Sequence, residues 1–237
     1  MLLIALVFYG DKVKDFYIVG IHIGNIDDIT FRAVKILNSV DFIVCENETE
    51  YRKFFGQLSI PVKKFIVCGQ NSENEAAEIT IQLLKNGEKG ALISDCGVPL
   101  FEDPGFDIID RVRNNGFSYT SIPGANSLAT ALSLSPFKVK NFYFKGFIAR
   151  KHDDRIKDIK DIAKMTNPIV LMESPYRLIN ILELAKEHLG NRKIFLPYNL
   201  TMPDEMLMYD TPSSLIKKLK SHKIEKGEFL IIIEGLK

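Results

Sequence analysis

Short apolar runs alternate with helical patterns along most of the chain, and this rhythm limits the folds that it can adopt. Phe16–Ile23 and Phe42–Glu46 have the length and apolar character of buried strands, whereas Thr30–Ser39 has the period of a helix. Repeated strand–helix units need crossover connections, which set the strands parallel and place helices on both faces of the sheet. The sequence therefore predicts an α/β fold with a mostly parallel sheet.

The same patterns locate the remaining elements. Further strands are predicted at Lys64–Gly69, Ala91–Ser94, Tyr119–Ile122, Phe142–Phe147, Ile169–Glu173, Ile194–Tyr198 and Phe229–Glu234. Further helices are predicted from a Ser72/Glu75 capping box to near Gly87, from an Asp103-Pro104 start to Gly116, and at Asn126–Leu134, Pro175–Leu189 and Pro212–His222.

A break in the rhythm predicts two domains. The Ser135-Pro136 pair ends the first set of elements, and a new set begins near Phe142. We expect an N-terminal α/β domain over residues 1–137 and a C-terminal α/β domain over residues 138–237, with the boundary near Ser135–Lys138.

The charge is unevenly divided between these halves. The whole chain has 31 Lys and Arg against 30 Asp and Glu, a formal net charge of +1, which argues against a globally basic nucleic-acid binder. Residues 1–137 hold 12 Lys and Arg against 17 Asp and Glu, whereas residues 138–237 hold 19 against 13. An acidic half is thus joined to a basic half, and the basic half suits a polyanionic partner.

The apolar run Leu2–Tyr9 at the start of the chain is too short for a membrane helix and lacks the basic region of a signal peptide. We interpret it as a buried or interface strand and expect no membrane association. The three cysteines, Cys45, Cys68 and Cys96, are widely spaced and odd in number, which argues against a disulfide framework or a zinc site. They are predicted to be reduced thiols in the core of a cytoplasmic protein.

The sequence lacks several common catalytic motifs. It contains no phosphate-binding P-loop, no glycine fingerprint for dinucleotides, no H-E-x-x-H and no G-x-S-x-G. The usual nucleotide hydrolases, dehydrogenases, zinc hydrolases and serine hydrolases are therefore disfavoured.

Four polar segments follow predicted strands, where open α/β sheets bind ligands. They are Gly20–Thr30, Ser94–Gly105, Ile122–Ser127 and Glu173–Arg177. Taken one at a time, three of them are explained as well or better by ordinary turns and helix caps. The second segment is long for a simple turn and carries Asp95, two glycines and two prolines, which favours a binding role.

Taken together and in this order, the four segments resemble the motifs of the tetrapyrrole methylase superfamily. Gly146–Lys151 matches a further family motif, and the resemblance extends from Phe16 to Gly235. Within the superfamily, the sequence is most similar to the branch that methylates the 2′-hydroxyl of a cytidine in 16S ribosomal RNA. The resemblance implies two α/β domains, a cleft between them that binds S-adenosylmethionine, a homodimer and no metal ion.

The resemblance also implies the site residues by position. The implied cofactor-binding residues are Ile23, Gly24, Asp95, Cys96, Gly97, Val98, Pro99, Asn126, Ser127 and Met172. A cofactor with a cationic sulfonium and no phosphate agrees with the missing phosphate loops. Glu46 and Glu173 are candidates for the general base that a hydroxyl nucleophile requires, and Arg177 completes the candidate catalytic set.

The sequence departs from the family at Asn47, Tyr176 and Asn199, where the family carries titratable side chains. Three functions therefore stay open. The chain is expected to methylate ribosomal RNA, aided by a basic run of residues, Arg150, Lys151, His152, Arg155, Lys157 and Lys160. The alternatives are a methyltransferase of the same fold with a small-molecule or protein substrate, and an inactive protein that binds S-adenosylmethionine.

Overall fold

The computed structural model describes residues 13–69 and 72–236, so the strand predicted at Leu2–Tyr9 lies outside the described residues. The described chain divides into two compact units. The first unit holds residues 13–22 and 28–125, and the second holds residues 23–27 and 126–236.

The first unit is built on a parallel sheet, as the strand–helix rhythm predicts. In the described residues its strands are β1 (Phe16–Val19), β2 (Phe42–Cys45), β3 (Lys64–Val67), β4 (Gly90–Leu92) and β5 (Tyr119–Ile122). They lie in the order β3-β2-β4-β1-β5, and every pairing between neighbours is parallel. All carboxyl ends therefore lie on one edge of the sheet.

Helices connect these strands. They are α1 (Phe31–Ser39), α2 (Glu48–Gln57), α3 (Glu73–Lys85) and α4 (Phe106–Asn114). Helix α2 was not predicted, although Asn47 caps it by accepting hydrogen bonds from the backbone N–H groups of Thr49 and Glu50. A core of β2, α3 and α4 side chains, including Val44, Leu84 and Ile108, covers one face of the sheet.

Two predicted helix starts in this unit are wrong in detail. Ser72 precedes α3, but its hydroxyl bonds to Gly69 instead of forming the capping box. Helix α4 begins at Phe106 instead of Pro104, with Gly105 at its N-cap. The carboxylate of Glu73 caps α4 by accepting hydrogen bonds from the N–H groups of Gly105 and Asp107, at 2.9 and 2.7 Å. A residue on α3 thus supplies the cap that the sequence assigned to Asp103.

The second unit, which follows the break in the rhythm, contains a mixed sheet in place of the parallel sheet of the first unit. Its described strands are β6 (Tyr143–Phe147), β7 (Ile169–Met172), β8 (Ile194–Tyr198), β9 (Met206–Asp210) and β10 (Leu230–Ile233). They lie in the order β6-β7-β10-β8-β9, and β6 with β7 is the parallel pair among otherwise antiparallel pairs. The unpredicted strand β9 follows β8 after a short turn, which makes their pairing antiparallel.

Helices of the second unit are α5 (Ser127–Ser133), α6 (His152–Lys164), α7 (Leu178–Leu189) and α8 (Pro212–Ser221). A short 3₁₀ turn, Pro175–Arg177, precedes α7. The core includes fully buried Ile159, Leu182 and Leu215 from α6, α7 and α8. The division between the units falls before the predicted boundary because α5 contacts β10 of the second unit. Among the described residues, no helix is long and apolar enough to cross a membrane.

Candidate functional site

The first unit gathers polar segments at the carboxyl edge of its sheet. The loop after β4 is bound to the segment after β1 by two backbone hydrogen bonds of 2.8 Å, from Ile21 N–H to the Gly97 carbonyl and from Gly97 N–H to the His22 carbonyl. Gly97 has φ of 74°, which an L-residue with a side chain adopts only under strain. Two of the predicted ligand-binding segments are therefore held rigidly against each other.

The turn after β5 joins this edge by direct backbone contact. A Cβ atom on Gly20 would lie 2.7 Å from the backbone nitrogen of Gly124, and one on Gly124 would lie 2.4 Å from the Gly20 carbonyl carbon. Neither position accepts a side chain unless the backbone moves. These two glycines therefore let the segment after β1 and the segment after β5 come into direct backbone contact.

Within the loop after β4, the predicted cofactor-binding residues differ in exposure. Asp95 and Cys96 are exposed, Val98 is half-buried, and Gly97 and Pro99 are buried. The prediction that all three cysteines lie in the core holds for Cys45 and Cys68 and is wrong for Cys96. Cys96 is exposed because it occupies this polar loop instead of a strand.

Carboxylates cluster beside this loop. Burial, together with the charges of Asp95 and Asp103, raises the pKa of Glu46 to about 7. Burial is also the main cause of the raised pKa of Asp103, to which the charge of Asp95 contributes. Unbalanced negative potential of this kind favours a cationic ligand. This cluster of carboxylates therefore suits a cationic sulfonium and does not suit an anionic phosphate.

Tyr51 on α2 completes this cluster. Its hydroxyl donates a 3.1 Å hydrogen bond to Oδ1 of Asp95, and its ring is buried. Burial and the charge of Asp95 raise the pKa of Tyr51, so the phenol stays protonated and acts as a donor. Tyr51 was missed from the sequence because α2 was missed; the spacing of Tyr51, Phe54 and Phe55 along one helical face was the available signal.

A cavity of ≈ 330 Å³ opens beside Asp95 in the first unit. It is lined by Ile21, His22, Glu50, Tyr51, Lys53, Phe54, Gln57 and Asp95. The lining combines two apolar side chains with donors, acceptors and both signs of charge, so it can contact both the apolar and the polar parts of a small ligand. His22 was not among the residues predicted from the sequence.

The second unit contains the other predicted cofactor-binding residues. Gly24 lies against the loop after β8: a Cβ atom on it would be 2.7 Å from the Leu200 carbonyl oxygen and 2.8 Å from the Thr201 hydroxyl. That hydroxyl accepts a 2.9 Å hydrogen bond from the Asn25 N–H. Thr201 has φ of 65°, which is rare for a β-branched residue, so this loop is held in a strained conformation. Ile23 beside it is buried.

The predicted residues Asn126, Ser127 and Met172 also lie in this unit. The Asn126 side chain accepts a 2.9 Å hydrogen bond from the Ala129 N–H and thus caps α5, with Ser127 as the first helical residue. Met172 ends β7 and is half-buried. These residues have ordinary structural roles, and a role in binding remains a prediction for each.

Glu173 and Arg177 form an ion pair after β7. Nη1 of Arg177 lies 3.2 Å from Oε2 of Glu173, whose side chain is fully buried. Arg177 also donates a 3.2 Å hydrogen bond to the Ala149 carbonyl. Burial raises the pKa of Glu173 despite its pairing with Arg177, and its Oε1 is buried without a hydrogen-bond partner. Ser174 makes no side-chain cap bond.

The basic run predicted from the sequence lies around the start of α6. Asp153 and Asp154 in the first turn of α6 offset part of its charge. Asp158 on the same helix instead pairs with Lys145 of β6 and accepts a hydrogen bond from the Ala149 N–H. A groove of ≈ 600 Å³ near it has mixed charge and contains none of the predicted catalytic or cofactor-binding residues. Its lining residues are His152, Arg155, Asn180, Glu183, Leu184, Lys186 and Glu187.

Comparison with known proteins identifies relatives over nearly the whole chain. The family model for tetrapyrrole (corrin/porphyrin) methylases matches residues 15–215. A protein of Borrelia garinii named ribosomal RNA small subunit methyltransferase I is 35% identical over 92% of this chain and 97% of its own length. Proteins of the same name are 34% identical in Bacillus subtilis, over 92% of this chain and 74% of that one, and 32% identical in Thermotoga maritima, over 92% and 97%.

Solved structures agree on the fold. A cobalt precorrin-4 methyltransferase superposes with a TM-score of 0.70 at 16% identity, covering 92% of this chain and 94% of that one. A diphthine synthase superposes with a TM-score of 0.70 at 12% identity, covering 93% of this chain and 89% of that one. At such identities the likeness describes the fold alone.

Proposed function

Because the chain belongs to the tetrapyrrole (corrin/porphyrin) methylase family and is a methyltransferase, we propose that it methylates ribosomal RNA of the small subunit, with S-adenosylmethionine as methyl donor. The observation that carries the proposal is the set of relatives at 31–35% identity, all named ribosomal RNA small subunit methyltransferase I. We propose the 2′-hydroxyl of a cytidine as the acceptor, action in the cytoplasm, and a homodimer, as in the branch that the motifs resemble.

The donor set of the first unit supports this choice of cofactor. When bound, S-adenosylmethionine supplies an electrophilic methyl group on a cationic sulfur. The carboxylates of Glu46, Asp95 and Asp103 stabilise positive charge; burial first, and then the charges of Asp95 and Asp103, raise the pKa of Glu46. Asp95, presented by the loop after β4, offers an acceptor to ligand hydroxyl groups, and Tyr51 fixes its carboxylate.

We assign the remaining cofactor contacts as the motifs imply. In the first unit these are Cys96, Gly97, Val98 and Pro99, and in the second unit Ile23, Gly24, Asn126, Ser127 and Met172. Glycine is required at position 24 because the loop after β8 already occupies the space of a Cβ atom, so this residue keeps the segment after β1 against Leu200 and Thr201. Positioning of donor and acceptor supplies much of the rate of a displacement at a methyl group.

Of the candidate catalytic residues, Glu173 and Arg177 are assigned a positioning role. Their buried ion pair and the Arg177 bond to the Ala149 carbonyl fix the end of β7 against the start of the α6 region. Glu46 is assigned an electrostatic role beside Asp95. The basic residues around α6, including Arg150, Lys151 and Lys157, supply non-specific contacts to RNA phosphates.

The test is transfer of labelled methyl groups from S-adenosylmethionine to purified 30S subunits that lack the modification. The wild-type protein is expected to label 16S ribosomal RNA, and an Asp95→Ala variant is expected to lose most of this activity. Label on corrinoid or porphyrin substrates, or on a protein, with none on RNA would favour the other branches of the fold. S-adenosylhomocysteine binding without transfer to any acceptor would favour a binding protein.

A further inference from the structure

His22 is held at the point where the predicted cofactor loops of the first unit meet. Its carbonyl accepts the 2.8 Å hydrogen bond from Gly97, so its backbone is fixed to the loop that carries Asp95. The residues that follow it, Ile23 and Gly24, are themselves assigned to the cofactor. The imidazole of His22 therefore lies on the segment that is assigned to the methyl donor.

The two nitrogens of the His22 ring have different surroundings. Nδ1 is enclosed by protein and has no hydrogen-bond partner in the described structure. The ring packs at 5.0 Å between centroids against Phe54, which is itself buried. His22 is nevertheless half-exposed and lines the ≈ 330 Å³ cavity together with Asp95. Because Nδ1 is enclosed, Nε2 is the ring nitrogen left for a ligand in the cavity to contact.

The cavity has the size and chemistry for one nucleoside. Its volume of ≈ 330 Å³ is near the lower end of ligand pockets, which suits a single nucleoside better than a tetrapyrrole macrocycle. Ile21 and Phe54 provide apolar surface, and Gln57 and Lys53 provide donors for base or ribose oxygens. Neither of the two residues predicted as general base lies in this cavity. Glu173 belongs to the second unit, and Glu46 is not among the lining residues.

The charge state of His22 also suits a base. Burial lowers the pKa of His22, and the charge of Asp28 opposes this only in part. The other titratable or charged groups that face the ring across the cavity are Glu50, Tyr51, Lys53 and Asp95. The imidazole is therefore neutral at pH 7 and above, and the tautomer with hydrogen on Nδ1 presents a lone pair at Nε2.

We propose that His22 is the general base of the reaction and that the cavity beside it holds the acceptor nucleoside; the proposal rests on the proposed methylation of an RNA hydroxyl. The O–H bond of the acceptor breaks and its proton forms an N–H bond at Nε2 of His22. The oxygen electron pair forms the new bond to the methyl carbon, while the pair of the breaking carbon–sulfur bond stays on sulfur. The proton later leaves His22 to water.

The experiment compares wild type with His22→Ala and His22→Gln on 30S subunits lacking the modification, with His222→Gln as the matched control on the exposed end of α8. Glutamine keeps a hydrogen-bonding group near the position of Nε2 but cannot take the proton. Both His22 variants are expected to lose kcat by about 10²–10⁴-fold. Calorimetric affinity for S-adenosylhomocysteine is expected to stay within about twofold of wild type, because the assigned cofactor contacts remain.

The pH profile separates a base from a packing residue. Wild-type kcat is expected to fall as the pH drops through the pKa of His22, and His22→Gln is expected to lack this acidic limb. A His22→Gln variant with near wild-type kcat would overturn the proposal while leaving the proposed function intact. A loss of S-adenosylhomocysteine binding as large as the loss of kcat would assign His22 to the cofactor and also overturn it. Failure of the wild type to label RNA would overturn the proposed function, and the role of His22 with it.

Discussion

The Tyr51 hydroxyl donates a 3.1 Å hydrogen bond to Oδ1 of Asp95, which ties helix α2 to the loop after β4 across 44 residues of sequence. This bond orients an exposed carboxylate of that loop, and it connects helix α2, which sequence patterns missed, to a motif that they identified.

Tyr51→Phe removes this hydrogen bond and keeps the buried ring. We expect affinity for S-adenosylhomocysteine to fall by about tenfold, because a hydrogen bond to a charged acceptor contributes about 1.5 kcal/mol. Calorimetric titration checks this. The free energy of unfolding is expected to change little, since Asp95 is exposed and water replaces the lost donor.

Tyr209→Phe is the matched control, because the Tyr209 hydroxyl donates a 2.9 Å hydrogen bond to Glu234 in the second unit. It is expected to leave cofactor affinity unchanged. Equal affinities for wild type and Tyr51→Phe would remove Tyr51 from the site.

Glu46→Gln is expected to change how stability depends on pH. The pKa of Glu46 is about 7 in the folded chain and near 4.5 when unfolded, so the folded state binds more protons between these values. Stability from this group is present below pH 4.5 and is lost as the pH rises towards 7. Glu46→Gln removes that loss. Urea unfolding at pH 8 should therefore show a free energy of unfolding roughly 1–2 kcal/mol higher than that of wild type; the gain is no larger because Glu46 is partly solvated.

At pH 4.5 the same variant should match wild type. Glu50→Gln serves as the control, since Glu50 is exposed and its ion pair with Lys53 lies at the surface. The free energy of unfolding of Glu50→Gln is expected to differ from that of wild type by less than about 0.5 kcal/mol at either pH. A Glu46→Gln variant that is no more stable than wild type at pH 8 would contradict the pKa that burial and the neighbouring carboxylates raise.

Arg177→Met is expected to destabilise the second unit. It leaves the fully buried carboxylate of Glu173 without its cation, which costs about 3–5 kcal/mol at neutral pH. The pKa of Glu173 is already raised by burial and rises further without Arg177, so the deficit should shrink as the pH falls and the carboxyl group takes up a proton. Denaturant unfolding at pH 7.5 and pH 5 measures both effects.

The double variant Glu173→Gln/Arg177→Met separates charge from packing. It should lose less stability than Arg177→Met alone, because no unpaired charge remains. Equal losses in the single and double variants would show that the ion pair matters for its packing only.

Gly24→Ala and Gly56→Ala form a matched pair. A Cβ atom on Gly24 would meet the Leu200 carbonyl at 2.7 Å, so the variant is expected to lose about 1–3 kcal/mol and most cofactor affinity. Gly56 lies in α2 with open space around its Cβ position, and alanine there should add about 0.5–1 kcal/mol. Thermal unfolding and calorimetry check both variants. A Gly24→Ala variant as stable as wild type would show that the loop after β8 moves to accommodate the added methyl group at little cost.

Much of the fold follows from local sequence patterns. Strands such as Phe42–Cys45 are buried on both faces of a parallel sheet, so they appear as continuous apolar runs bounded by polar turns. Strand β9 was missed because Met206–Asp210 is only half-buried and lacks such a run. The late start of α4 was unpredictable locally, since its cap comes from Glu73 on another helix.

The candidate site likewise has features that the sequence reveals and features that only the structure reveals. The motif containing Asp95 was recognisable because its loop is contiguous in sequence. The raised pKa of Glu46, the bond from Tyr51 and the cavity around His22 all depend on contacts between distant segments, and no single window of the sequence contains them. Sequence patterns thus located the loops that are predicted to bind the ligand, while the structure adds neighbouring groups that set their charge and orientation.

The most direct test of the proposed function is the chemical position of the transferred methyl group. Wild-type protein, labelled S-adenosylmethionine and unmodified 30S subunits are incubated together, and the 16S ribosomal RNA is then hydrolysed in alkali. A 2′-O-methyl group blocks cleavage of the adjoining phosphodiester, so the label is expected in a single alkali-resistant dinucleotide that begins with methylated cytidine. Label released as mononucleotide, or no label above the Asp95→Ala background, would contradict the account.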